Sequence, residues 1–204
     1  YRENGQRNFI SEGIKEANNE DLILVSDVDE IPKLSNIDIK KVNQKIILFK
    51  QDMFYYKFNL KLPNLIWTGT KACKKKDLIS PQWLRNIKDK KYSFLRFDIL
   101  FSKKKYSSIK FVENGGWHFS NIKKPEDIDF KMKNFLHHYE YEESGINIDK
   151  LKKNIAEKKV FYNHFADKSD SNKLNYDAKL KNLEMKELPK YLYSNKDKYK
   201  EWID

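Results

Sequence analysis

A chain of 204 residues fits one domain, and 39% hydrophobic with 14% aromatic residues is enough for a packed core. Six glycines and five prolines exclude low-complexity and collagen-like classes, no run of about 18 apolar residues spans a membrane, and the single Cys73 excludes an intrachain disulfide or a Cys-rich zinc site. The excess of 41 Lys and Arg over 30 Asp and Glu, +11 in all, favours an anionic partner such as a nucleotide, nucleic acid or membrane surface, although lysines spread this evenly also describe an ordinary solvated face.

In chain order, Gln6 to Ala17 predicts a helix, with Phe9, Ile10, Gly13, Ile14 and Ala17 on one face at three- and four-residue spacing. After the polar break Asn18-Asn19-Glu20-Asp21, the run Leu22-Ile23-Leu24-Val25 reads as a strand buried in a parallel α/β sheet. Ser35 to Lys45 predicts a short helix. Two apolar runs follow, Lys45 to Lys50 and Met53 to Leu62, divided by Gln51-Asp52. In the second, Phe54, Tyr56, Phe58 and Leu60 alternate and predict one strand with an aromatic face. Pro81 to Lys91 predicts a short helix carrying Trp83, Leu84 and Ile87. Ser93 to Ser102 is β-like and ends in a lysine turn at Lys103-Lys104-Lys105. Ile109 to Val112 is a short strand, and Pro125 starts a helix with Ile128, Met132, Phe135, Leu136 and Tyr139 on its buried side. Ile148, Leu151 and Ile155 mark another helix with Asn147 as N-cap. Ser169 to Lys173 is a polar loop, and a helix with Tyr199, Trp202 and Ile203 closes the chain. No internal repeat and no strong domain boundary is visible.

Ligands of parallel α/β sheets bind beyond the carboxyl ends of the strands, where Asp27, Asp29 and Glu30 stand. Three carboxylates in four positions repel one another unless something positive lies among them, and carboxylate oxygens suit Mg²⁺ or Mn²⁺. The D-x-D spacing puts Asp27 and Asp29 on one side if the segment stays extended; an acidic helix-capping turn is the structural alternative. In Gly115-Gly116-Trp117-His118 the glycines let the backbone approach a ligand closely, Trp117 has a face for a sugar ring, and His118 can hydrogen-bond or bind metal. A tight turn with a core tryptophan is the alternative there. His137 and His138 point about 100° apart on a helix, so they would rarely both bind one metal and at most one of them faces a site, with Glu140 and Glu142 nearby. His164, flanked by Phe161, Tyr162 and Phe165, reads as a packed aromatic-cluster histidine. No Walker A loop, G-x-G-x-x-G, G-x-S-x-G or H-E-x-x-H is present. Aromatics interleaved with lysines in Met53 to Lys61 also fit single-stranded nucleic acid, but an amphipathic strand explains them better.

Ser26-Asp27-Val28-Asp29-Glu30-Ile31-Pro32 and Gly116-Trp117-His118-Phe119-Ser120 together resemble glycosyltransferase family 17, the family of bisecting β-1,4-N-acetylglucosaminyltransferases. The likeness extends in order through Arg2-Glu3, Gln6-Arg7-Asn8, Gly13, Trp67-Thr68-Gly69-Thr70, Leu84-Arg85, Lys131, Phe135, His137 and Leu188-Pro189-Lys190-Tyr191-Leu192.

The resemblance implies an α/β fold with a GT-A-like mixed sheet flanked by helices, as one catalytic domain over 1–204. Family members carry further strands upstream, and the chain starts at Tyr1 and not Met, so a Rossmann-like nucleotide-sugar domain incomplete at its N-terminus is expected. The implied reaction moves a sugar, GlcNAc by the family name, from a UDP-sugar to a glycan hydroxyl with inversion. Asp27, Arg7, Trp117 and His118 are the implied donor contacts, and Asp27, Asp29, His118 and His137 the implied ligands of Mn²⁺ or Mg²⁺. Glu30, Glu113 and Glu140 are the candidates for the base. A non-catalytic sugar- or nucleotide-binding relative and a basic nucleic-acid-binding or nuclease module are the competing readings. The lone cysteine fits a reducing compartment such as the cytoplasm, and peripheral membrane contact is compatible with the charge.

Overall fold

The computed structural model describes residues 2–134, 138–164, 174 and 177–204. Helices are α1 (Arg2–Gly13), α2 (Pro81–Asn86), α3 (Phe97–Leu100), α4 (Pro125–Lys133), α5 (His138–Glu143), α6 (Ile148–Ala156) and α7 (Lys190–Ser194). Strands are β1 (Leu22–Val25), β2 (Glu30–Pro32), β3 (Ile46–Tyr55), β4 (Leu60–Lys74), β5 (Ile109–Val112), β6 (Gly116–Ser120), β7 (Lys159–Val160), β8 (Ala178–Lys179) and β9 (Lys181–Asn182). Seven strands form a mixed sheet in the order β1-β4-β3-β6-β2, with β5 also on β3 and β9 also on β4, while β7 and β8 pair separately. The fold is therefore mixed α/β, a sheet with flanking helices.

The chain divides into two compact units, Tyr1–Gln51 with Trp67–Gly116, and Asp52–Ile66 with Trp117–Asp204. In the first unit, Ile46, Leu48 and Ile109 pack with Ile23, Val25, Leu84 and Ile87 on one side of the sheet. On the other side Ile47, Phe49, Ala72 and Val112 form a second cluster. The uninterrupted Ile-Ile-Leu-Phe run is what covering both faces of a central strand requires. β5 lies parallel to β3, Ile46 opposite Ile109 and Phe49 opposite Val112. In the second unit, β6 lies parallel to the end of β3, and Phe54, Phe119, Leu188 and Leu192 form its core.

Several expectations change. β1 pairs antiparallel with β4, Leu22 opposite Lys74, at the end of the strand order, and it alternates half-buried and buried residues. Ile23 and Val25 enter one core cluster and the half-buried Leu22 and Leu24 pack against the other, so the apolar run covers both faces of a strand that stands at the end of the order and not in its middle. β3 runs through Gln51-Asp52 without a break. Gln51 is fully buried yet satisfied by Thr70, so a polar residue here does not end the strand. The predicted strand over residues 53–62 is instead the end of β3, a turn at residues 56–59, and the start of β4. Tyr56 turns the chain with a left-handed φ of 64°.

α1 spans Arg2–Gly13, and Phe9 is 74% exposed, because the helix meets α2 through polar groups: Arg7 donates to Gln82 Oε1 at 3.3 Å and Asn8 Oδ1 accepts from the Gln82 amide at 3.3 Å. Ile14 and Ala17, past its end, pack on the core as expected. Ser35 to Lys45 forms two single 3-10 turns, and the closing segment is a 3-10 helix over Lys196–Trp202. Asn147 caps α6 through its side chain, which accepts from the Lys150 amide at 2.9 Å, as the sequence indicates. Residues 93–102 contain no strand; a short α3 and bends replace it. Phe135, Leu136, His137, Phe165 and the loop 169–173 lie outside the described residues.

Candidate active site

Beyond β1 the chain does not stay extended. The Glu30 amide donates to the Asp27 carbonyl at 3.0 Å, which closes a tight turn over Val28 and Asp29. The D-x-D carboxylates therefore project from a turn, not from one side of a strand. Glu30 folds back into the turn it ends, and its Oε2 accepts from the Asp27 amide at 2.9 Å.

Arg85, near the end of α2, holds this turn. Its Nη2 donates to Asp27 Oδ2 at 2.8 Å and to Glu30 Oε1 at 3.1 Å; its Nη1 donates to Glu30 Oε2 at 2.9 Å and to the Gly69 carbonyl at 2.7 Å. A planar guanidinium suits such a forked set of acceptors, which an ammonium could not span. Trp67 Nε1 donates to Glu30 Oε1 at 2.9 Å. Glu30 thus receives four hydrogen bonds, and its side chain is 1% exposed. Arg7 from α1 pairs with Asp27 Oδ1 at 3.5 Å.

Behind the knot lies a buried polar shelf. Gln51 Oε1 accepts from the Thr70 amide at 3.1 Å, its Nε2 reaches Thr70 Oγ1 at 3.4 Å, and that hydroxyl is 2.6 Å from Ser26 Oγ. Gly69 is what makes room: a Cβ there would stand 1.7 Å from Gln51 Oε1 and 2.9 Å from Glu30 Cδ. Lys71 Nζ donates to the carbonyls of Arg85 at 2.8 Å and Ile87 at 2.5 Å, pinning the end of the helix that presents Arg85. Burial lowers its ammonium to about 8.

The segments that resemble the family, Arg7, Ser26 to Glu30, Trp67 to Thr70 and Arg85, thus meet at one place. Arg85, Gln51 and Lys71 were not among the predicted site residues. A signal for Arg85 was present: only four of the 41 basic residues are arginine, and Arg85 stands in the Leu84-Arg85 block that resembles the family. Asp29 is half-buried on the turn, and Glu113 is exposed on the turn after β5. Asp27 and Glu30 are held by the guanidinium of Arg85, with Arg7 also on Asp27. Among the described residues no three His, Cys, Asp or Glu side chains converge as metal ligands. A cation site on this turn would be an open one of one or two carboxylates, the kind that Mg²⁺ completes with water and substrate phosphates.

The glycines before Trp117 serve the chain itself. Gly116 has a φ of +136°, and a Cβ there would stand 2.1 Å from the Ile31 carbonyl; one at Gly115 would stand 2.6 Å from the Val112 carbonyl. The close approach is to backbone carbonyls of the chain itself and not, as expected, to a ligand.

In the second unit, Trp117 Nε1 donates to the Glu187 carbonyl at 2.9 Å, and its ring packs on the Phe54–Phe119 cluster. His118 is buried on β6. Its electrostatic neighbour His164 hydrogen-bonds Tyr55, packs against the Tyr55 and Tyr162 rings, and is pushed down to about 4, chiefly by burial. That is the packed aromatic histidine expected. His138 opens α5 with its ring 4.0 Å from that of Tyr139, and Glu140 is half-buried on the same helix.

No helix of the described residues is long and apolar enough to cross a membrane. Comparison with curated proteins and with solved structures gives no match. A family model described as Glycosyltransferase family 17 matches residues 1–203, so the chain belongs to that family of glycosyltransferases.

Proposed function

We propose that this family 17 glycosyltransferase moves GlcNAc from UDP-GlcNAc to a glycan hydroxyl in one inverting displacement, on a GT-A-like scaffold. The observation that carries the reading is the Arg85–Asp27–Glu30–Trp67 knot at the end of β1, which holds Asp29 and Asp27 on a rigid turn. Asp27 Oδ1 faces Arg7 at 3.5 Å, a loose pairing that lets the carboxylate take a donor ribose and the guanidinium turn to the diphosphate. Asp29, half-buried on the turn beside Asp27, is the attachment point for Mn²⁺ or Mg²⁺. When bound there with the donor's phosphates, the cation would offset charge on the departing UDP.

The acceptor oxygen attacks the anomeric carbon, the bond to the β-phosphate oxygen breaks, and the hydroxyl proton passes to a carboxylate. Glu30 is buried and saturated with donors, which argues for an anchor. Glu113 is exposed in the same unit, and we assign the base to it. Trp117 and His118 are tied into the packing of the second unit, and the donor contacts named here are those of the first.

UDP release from UDP-GlcNAc with added Mn²⁺, followed by NMR of the product anomer, tests the reading. Expected are a metal-dependent β product, its loss in Asp29→Asn, and a kcat about 10²–10⁴ lower in Glu113→Gln. A retained α configuration, or full activity in Asp29→Asn, would overturn it.

A further inference from the structure

Residues 88–106 leave α2 and return to β5 as one closed loop. Its base is zipped: the Lys88 amide donates to the Lys104 carbonyl at 2.8 Å, Lys91 bridges to Tyr106, and Trp83 Nε1 donates to the Lys103 carbonyl at 2.8 Å. Arg96 lies 5.6 Å and Lys105 Nζ 5.7 Å from the Tyr92 ring centroid, which ties the two limbs together. The base is held, so the tip is presented.

That tip is apolar and in water. Phe94 is 79% exposed, Leu95 73%, Phe97 80% and Phe101 89%. Scattered single apolar residues on a surface need no explanation, but four within eight positions do. Around them stand Lys88, Lys90, Lys91, Lys103 and Lys104, all exposed. The loop's two carboxylates are both occupied: Asp98 by Arg96 at 2.9 Å and Lys105 at 2.7 Å, and Asp89 by Lys50 at 3.7 Å. The rim is therefore strongly positive with no available anion of its own.

We propose that this loop docks the protein on an anionic bilayer surface, with Phe94, Leu95, Phe97 and Phe101 entering the headgroup–acyl boundary and the lysines meeting acidic headgroups. Charge complementarity selects this occupant. A second copy would bring the same lysine rim face to face with itself, and a neutral apolar groove would leave the lysines unmatched. Apolar insertion and basic attraction are each weak alone and sufficient together. Docking would keep α2, and with it Arg85, close to the membrane.

The test is co-sedimentation with vesicles of phosphatidylcholine alone and of phosphatidylcholine with phosphatidylglycerol, at low and high salt. Binding is expected only with phosphatidylglycerol, weakened by salt as screened charges require. F94S/F97S/F101S and, separately, K90Q/K103Q/K104Q should each lower the partition coefficient about tenfold with an unchanged melting temperature. Equal partition into both vesicles, no sedimentation with phosphatidylglycerol, or wild-type binding by the serine variant would overturn the proposal. So would a concentration-dependent dimer abolished by the serine variant, or oligonucleotide binding that vesicles do not displace.

Discussion

Arg85→Met tests the knot at the end of β1 most directly. The substitution keeps the aliphatic stem and removes the donors to Asp27, Glu30 and the Gly69 carbonyl. Glu30, with 1% of its side chain exposed, is then left as a buried carboxylate holding only the Trp67 indole and the Asp27 amide. Removing one partner of a buried pair costs about 3–5 kcal/mol, because the other charge loses its compensation without regaining water. For a chain of this length each kcal/mol moves the melting temperature about 2–4 °C, so a fall on the order of 10 °C is expected. Urea unfolding supplies the free energy, read from the midpoint at constant slope. Glu30→Gln in the same background should recover a large part of the loss. The amide oxygen still accepts from Trp67 or Asp27, and no charge remains to strand. Arg85→Lys should behave like the methionine variant, since one ammonium cannot span both carboxylates. A loss below about 1 kcal/mol for Arg85→Met, the range of exposed pairs, would refute the reasoning. So would a double variant no better than the single one.

Three further outcomes follow from other parts of the molecule. Gly69→Ala should destabilise by about 1–3 kcal/mol in urea, since its methyl would overlap Gln51 Oε1, with Gln51→Ala in the same background relieving the clash. His164 is held near 4 while the unfolded imidazole titrates near 6.5, so the unfolded chain binds the extra proton between those values. Its stabilisation is complete above about pH 6.5 and is lost as pH falls toward 4, with a slope of at most about 1.4 kcal/mol per pH unit; His164→Asn should flatten that part of the stability profile, and an unchanged slope would refute the assignment. Lys71→Met should lower activity through Arg85 and not through donor contact, so kcat should fall while KM for the donor stays within about twofold.

Local pattern was enough where the information is local. The strand at Ile109–Val112, the Asn147 cap of α6 and the apolar start of β1 all appear where period and capping chemistry put them. The family was legible too, because its short blocks recur in order through the chain. Tertiary structure decided how those blocks are used. Asp27 and Arg85 are 58 positions apart, and no period or propensity connects a guanidinium on one element to a turn on another. The same holds for Gln51, which local composition read as a break and burial against Thr70 turned into the middle of a strand. Residues 93–102 had the composition of a strand but no partner strand to pair with, so their phenylalanines face water. Composition determined what each segment is able to do; the pairing of distant segments determined which of those things it does. At the acidic turn the sequence supplied charge in need of neutralisation, and the fold supplied two arginines.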